Sequence, residues 1–92
     1  MTKLEAKLIE LGYERKEFLY VWFSKKITLN DIVFDIVFSI KDNKITNYQV
    51  YINTIGNQYI PIITDQHEID TLQQAFNIMQ KDLEVLREYE SK

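Results

Sequence analysis

Between Ile32 and Ile40 every second residue is Ile or Phe, and that alternation constrains the fold more tightly than any other feature of the chain. Successive side chains of an extended strand point to opposite faces. Ile32, Phe34, Ile36, Phe38 and Ile40 therefore share one face that needs a cover, while Val33, Asp35, Val37 and Ser39 share the other. The pattern predicts a strand over 31–40 with one face on a core.

The same parity argues the register of the next strand, 45–54. A two-residue loop at Asp42-Asn43 sets Phe38 opposite Asn47 and Ile36 opposite Gln49, which mixes apolar with polar on the core face. A three-residue loop, Asp42-Asn43-Lys44, sets Phe38 opposite Tyr48, Ile36 opposite Val50 and Phe34 opposite Ile52, with Ser39 beside Asn47 outside. The expectation is the odd-length loop. Upstream, the aromatic and β-branched run Phe18 to Phe23 predicts a strand over 17–25, and Asn30-Asp31 the turn that follows. Residues 24–30 read equally well as an extension of that strand or as a connection. Downstream, Gly56-Asn57 predicts a turn into a strand over 58–63, which Pro61 confines to a sheet edge because it has no amide to donate.

Helices bracket these strands. Thr2 and Glu5 have the spacing of a capping box, Leu4, Leu8 and Leu11 recur at helical period, and Gly12 is suited to end a helix over 3–11. Tyr13 is then expected to fold back onto Leu8 or Ile9. Asp65 and Glu68 repeat the capping-box spacing before a helix over 66–89, about 36 Å long at 1.5 Å per residue. Its apolar stripe is Ile69, Leu72, Phe76, Met79, Leu83 and Leu86, widened by Ala75, Ile78, Val85 and Tyr89. The expected fold is α+β: an N-terminal helix, a four-stranded antiparallel meander, and a long C-terminal helix packed on one sheet face, in one domain over 1–92.

Composition narrows the function classes. No cysteine is present, so disulfides and thiolate metal sites are excluded and packing alone must hold the fold, as suits a reducing compartment. The N-terminal residues alternate charge with apolar groups, and nowhere do eighteen apolar residues run together, so no membrane association and a cytoplasmic location are expected. Net charge is −3, with eight Lys/Arg against seven Asp/Glu in residues 1–46 and three against seven in 47–92. Nucleic acid needs a basic face, which makes it an unlikely partner.

Chemistry finds little foothold. His67 is the single histidine and reads as a solvated first-turn residue. Asp31 and Asp35 read as the solvent face of their strand, Asp65 as a cap for the helix bearing Asp70, and the two glycines are too far apart for a phosphate loop. No catalytic residue, metal site or cofactor is expected, and the chain is read as a non-enzyme.

What does stand out is surplus apolar surface on the strands. Phe18, Tyr20 and Trp22 lie on one face of their strand while Leu19, Val21 and Phe23 lie on the other. The candidate partner-binding residues are Tyr20, Trp22, Val33, Val37 and Tyr51. The end of the C-terminal helix, with Val85, Leu86 and Tyr89, is expected to outrun the sheet and offers a candidate homodimer seam. Asp82, Glu84, Glu88 and Glu90 are expected on its solvated side. The leading function class is a protein-binding module; the skew to Ile, Lys, Asn and Tyr, typical of AT-rich coding sequence, suggests a phage or mobile-element modulator or inhibitor of a host factor. The alternatives are a single-stranded nucleic-acid-binding accessory protein, with Lys25, Lys26, Lys41 and Lys44 gathered near loop ends, and a structural homodimer.

Overall fold

Thr2 opens the first helix by accepting from the Glu5 amide at 3.2 Å while its own amide donates to the Glu5 carboxylate, so two amides without helical partners are satisfied. The computed structural model describes residues 1–54, 57–59 and 66–90, with backbone alone at 53–54, 57–59 and 67–68. Helix α1 spans Lys3–Glu10. Gly12 follows at φ +98°, and two bonds close the helix end: its amide donates to the Ile9 carbonyl and the Tyr13 amide to the Leu8 carbonyl, both at 3.0 Å. That is the Schellman arrangement, and it turns Tyr13 into the core beside Leu8.

Five antiparallel strands follow in the order of the chain: β1 (Glu14–Phe18), β2 (Tyr20–Leu29), β3 (Ile32–Lys41), β4 (Lys44–Thr54) and β5 (Asn57–Tyr59). Helix α2, Gln66–Arg87, packs back on the sheet against β2 and β4. The α+β layout of two helices on an antiparallel meander is therefore as expected. The segment read as a single strand over 17–25 is instead the hairpin β1–β2. A continuous strand from Glu14 to Leu29 would run about 53 Å at 3.3 Å per residue, far beyond the ten or eleven residues of β3 and β4. Residues 24–29 extend β2, and Asn30 and Asp31, at φ +50° and +64°, make the turn. Of the expected edge strand over 58–63, residues 58–59 lie in β5 beside β4, and Asn57, expected in the turn, already pairs with Thr54; Gly56 and 60–65, with Pro61 and the Asp65 cap, lie outside the described residues.

The β3–β4 register is the one parity required: Phe34 opposite Ile52, Ile36 opposite Val50, Phe38 opposite Tyr48 and Ser39 opposite Asn47. Its mechanism differs. Asp42 and Asn43, both at positive φ, form a two-residue turn, Lys41 pairs with Lys44 and Ile40 with Ile45, and the register shifts beyond Ser39 so that Thr46 is extra. A three-residue loop would have paired Ile45 with Lys41 on the outer face. The bulge turns Ile45 inward, where it is buried.

The core lies between the inner sheet face and the helices: Leu4, Leu8 and Tyr13 meet Phe23, Phe34, Ile36, Phe38, Ile45 and Val50, with Ala75, Met79 and Leu86 from α2. Tyr48 shares this face by register but stays exposed. The buried stripe of α2 is rotated from the expected one. Thr71, Ala75, Met79 and Leu86 are buried, whereas Ile69 and Phe76 are exposed. Polar groups on the sheet side explain the rotation. Asn30 donates to the Thr71 hydroxyl at 2.9 Å, and Asp82, expected in solvent, accepts from the Tyr13 hydroxyl at 2.7 Å and from Lys25 Nζ at 2.8 Å. Lys25 also donates to the Leu11 carbonyl at 3.2 Å and lies 4.6 Å from the Tyr13 ring centre. Burial and then the bond to Asp82 push the Tyr13 hydroxyl pKa up.

The C-terminal end of α2 does not overhang. Leu86 is fully buried, Tyr89 packs on the core with Lys7 near its ring, and Val85 is half-buried. Ile45 donates its amide to the Glu90 carboxylate at 2.7 Å, so Glu90 too belongs to the sheet side, whereas Glu84 and Glu88 are exposed. Val85, Leu86 and Tyr89 are thus not an exposed seam, because α1 and the β3–β4 turn occupy the space an overhang would need. Among the described residues no helix is long and apolar enough to cross a membrane.

Candidate binding surface on the outer sheet face

At the β1–β2 hairpin the register ends with Phe18 opposite Tyr20, so Leu19 alone makes the reversal. Its φ is +65°, in the left-handed region where a side chain crowds its own backbone at a cost of about 1–2 kcal/mol. No packing offsets this. Phe18, Leu19 and Tyr20 are 71%, 93% and 62% exposed, so three consecutive large apolar side chains stand in water at the tip of a hairpin.

Behind the tip, alternation along each strand sorts the outer face. Strand β1 contributes Glu14, Lys16 and Phe18; β2 contributes Tyr20, Trp22, Ser24, Lys26 and Thr28; β3 contributes Val33, Asp35, Val37, Ser39 and Lys41. From β4 come Lys44, Asn47, Gln49 and Tyr51. Tyr20, Trp22, Val37, Ser39, Gln49 and Tyr51 line an open cleft of about 150 Å³. The Tyr20 and Trp22 rings lie 5.1 Å apart, tilted by 43°, and form one wall. Tyr51 donates its hydroxyl to Gln49, which fixes the opposite wall, and Val37 is the buried floor.

Four of the five residues proposed from sequence therefore converge on one cleft. Val33 does not, since it sits four residues from Val37, about 13 Å along β3, beside Thr28. Ser39 and Gln49 were not anticipated, although parity places them next to Trp22 and Val37 once the register is known. Alternation along a continuous strand puts Leu19 on the opposite face instead. No glycine, asparagine or aspartate marks the turn at that position.

Charge on this face is also uneven. Lys16 pairs across the strands with Trp22, Lys26 with Asp35, and Lys41 with Lys44, so the face carries four lysines against the carboxylates of Glu14 and Asp35. Lys16 bonds Glu14 at 2.9 Å, and that bond, with Lys26 adding to the field, holds the Glu14 carboxyl below its ordinary range. Lys26, Lys41 and Lys44 are exposed and make no ion pair among the described residues. Lys25, grouped with them from sequence, belongs to the inner face and is held by Asp82.

The remaining candidates do not assemble. Asp31 is exposed in its turn, whereas Asp35, expected in solvent, is buried at mid-sheet. Asp70 is exposed and accepts from Gln66 at 2.9 Å. The His67 side chain and Asp65 fall outside the described residues. Among the described residues no three His, Cys, Asp or Glu side chains gather as a metal would require. Comparison of the chain with protein-family models, with curated proteins and with solved structures gave no match.

Proposed function

We propose that this chain is a non-enzymatic protein-binding module that engages its partner through the Phe18-Leu19-Tyr20 tip and the adjoining aromatic cleft; a modulator of a host factor carried by a phage or mobile element is one concrete version. The single observation behind the reading is Leu19, a bulky residue at positive φ that is 93% exposed. Strain of this kind needs a reason outside local stability, since asparagine or glycine would make the same turn at lower cost. A tip of this size is also of the kind that anchors interfaces, where a few central aromatic or aliphatic residues carry most of the binding energy.

The test places a photo-crosslinking amino acid at Leu19 and, separately, at exposed Glu84 on the helical side, and exposes both proteins to lysate from the natural host. The reading requires a discrete protein adduct at position 19 that is absent at position 84 and suppressed by excess unlabelled parent but not by Leu19→Asp. Identical adduct patterns at the two positions, or none at 19, defeat it.

A further inference from the structure

We infer that the cleft takes one aromatic or aliphatic anchor side chain from an extended, acidic segment of the partner; this inference rests on the protein-binding reading above. Size is the first argument. At about 150 Å³ and open to solvent on one side, the cleft has room for a single side-chain ring and is below the range of drug-sized ligands. Its composition is the second. Rings from Tyr20, Trp22 and Tyr51 and the Val37 floor supply the apolar contact for an anchor, while the exposed lining is more polar than apolar, with Ser39 and Gln49 among the hydrogen-bonding groups that a backbone laid across a sheet would need.

Charge gives the third. Lys41 and Lys44 pair at the turn end of the face, level with Tyr20, because Trp22 lies opposite Ser39 and both strands continue by two residues. Lys16 lies beside Trp22 on its other flank, and Lys26 two residue-steps beyond Ser24. For a segment running along the strands, an anchor seated in the cleft has Lys41 and Lys44 beyond one end and Lys26, opposite Asp35, beyond the other, which favours carboxylates flanking the anchor, above all on the Lys41–Lys44 side.

A single-stranded nucleic acid shares the negative charge and suits the site less well. Tyr20 and Trp22 pack on each other at 43° and do not present parallel ledges for successive bases. The chain as a whole carries −3, with exposed Glu84 on α2 and Glu88 just beyond its end, so attraction for negative charge is local to the lysines of this face, which suits a short carboxylate-flanked segment better than a long polyanion.

Trp22 is the sole tryptophan, so its emission reports this cleft without a label. The full chain is titrated at low ionic strength with acetyl-Asp-Glu-Phe-Asp-Glu-amide, with the same peptide bearing Gly for Phe, with its Lys-for-acid counterpart, and with a short oligothymidylate. The inference requires a saturable change with the acidic Phe peptide and binding at least about fivefold weaker for each comparator. Lys41→Glu with Lys44→Glu, both solvent-exposed, weakens that peptide about tenfold and flattens its salt dependence while the circular dichroism stays that of the parent. No emission change at millimolar acidic peptide, equal binding of the basic peptide, or tighter binding of the oligothymidylate overturns it, the last in favour of a nucleic acid. A protein adduct at position 19 with a silent Trp22 refutes this inference alone; loss of the adduct refutes the underlying reading.

Discussion

Three hairpin turns reverse the first four strands, and two of them solve the problem differently from the third. Asn30-Asp31 and Asp42-Asn43 place residues at φ between +50° and +64°, and Asn and Asp tolerate that region because their short polar side chains bond locally. Both turns are also tied to α2 or the turn that ends it: Asn30 donates to Thr71, and Asn43 to the Tyr89 carbonyl at 3.5 Å. Leu19 adopts the same backbone region with an unsuited side chain, no side-chain bond among the described residues ties its turn to a helix, and it points apolar surface at water. The difference separates what the fold needs from what it carries. Turns that hold the helix on the sheet are chemically matched to their geometry, and the free tip is not.

The largest effect should come from the anchored side. Asp82→Ala strips the partner from Lys25 and from the Tyr13 hydroxyl, in a site where the two charged side chains are only 19% and 13% exposed. A loss of about 3 kcal/mol in urea unfolding is expected, and the double variant Asp82→Leu with Lys25→Met should recover most of it. A single-variant loss below about 1 kcal/mol would place the pair among surface bridges instead.

Next is the turn itself. Asn30→Leu forces a bulky residue into positive φ and removes the Asn30 bond to the Thr71 hydroxyl, so about 2 kcal/mol should be lost. The same residue type at position 19 is already native, which makes the pair a direct contrast. If Asn30→Leu is neutral, strain at Leu19 loses its meaning.

A smaller effect should appear with pH. The folded-state pKa of Tyr13 is raised, so its contribution is complete below the ordinary tyrosine value of 10.0 and is lost progressively as pH rises from there toward the higher folded value, because the unfolded chain ionises first. Unfolding free energy should fall above pH 10, and Tyr13→Phe should flatten that fall. An unchanged slope in the variant would assign the alkaline loss to other groups.

How much of this was legible beforehand follows the same division. Alternation from Ile32 to Ile40 set the sheet's inner face, and parity gave the β3–β4 pairing although the bulge at Thr46 was hidden, since two loop solutions yield one register. The first capping box and Gly12 were readable because each residue meets its partners within a few positions. Asp82 and Thr71 were not, because their partners lie 57 and 41 residues away in sequence and pull polar groups into the buried side of α2. Phe18, Tyr20 and Trp22 could be flagged as surplus, but the reversal between them could not. Leucine carries no turn propensity, and only the limited length of the sheet demands a fold-back there.

The central claim, that the β1–β2 tip is carried by the fold rather than required by it, is tested most directly by the urea midpoint of Leu19→Asn. Relief of backbone strain and removal of an exposed apolar side chain should leave the midpoint unchanged or raise it by the equivalent of about 0.5–1 kcal/mol. A midpoint lowered by more than about 1 kcal/mol would mean that Leu19 packs in solution, and the tip would then be structure rather than a surface held out for a partner.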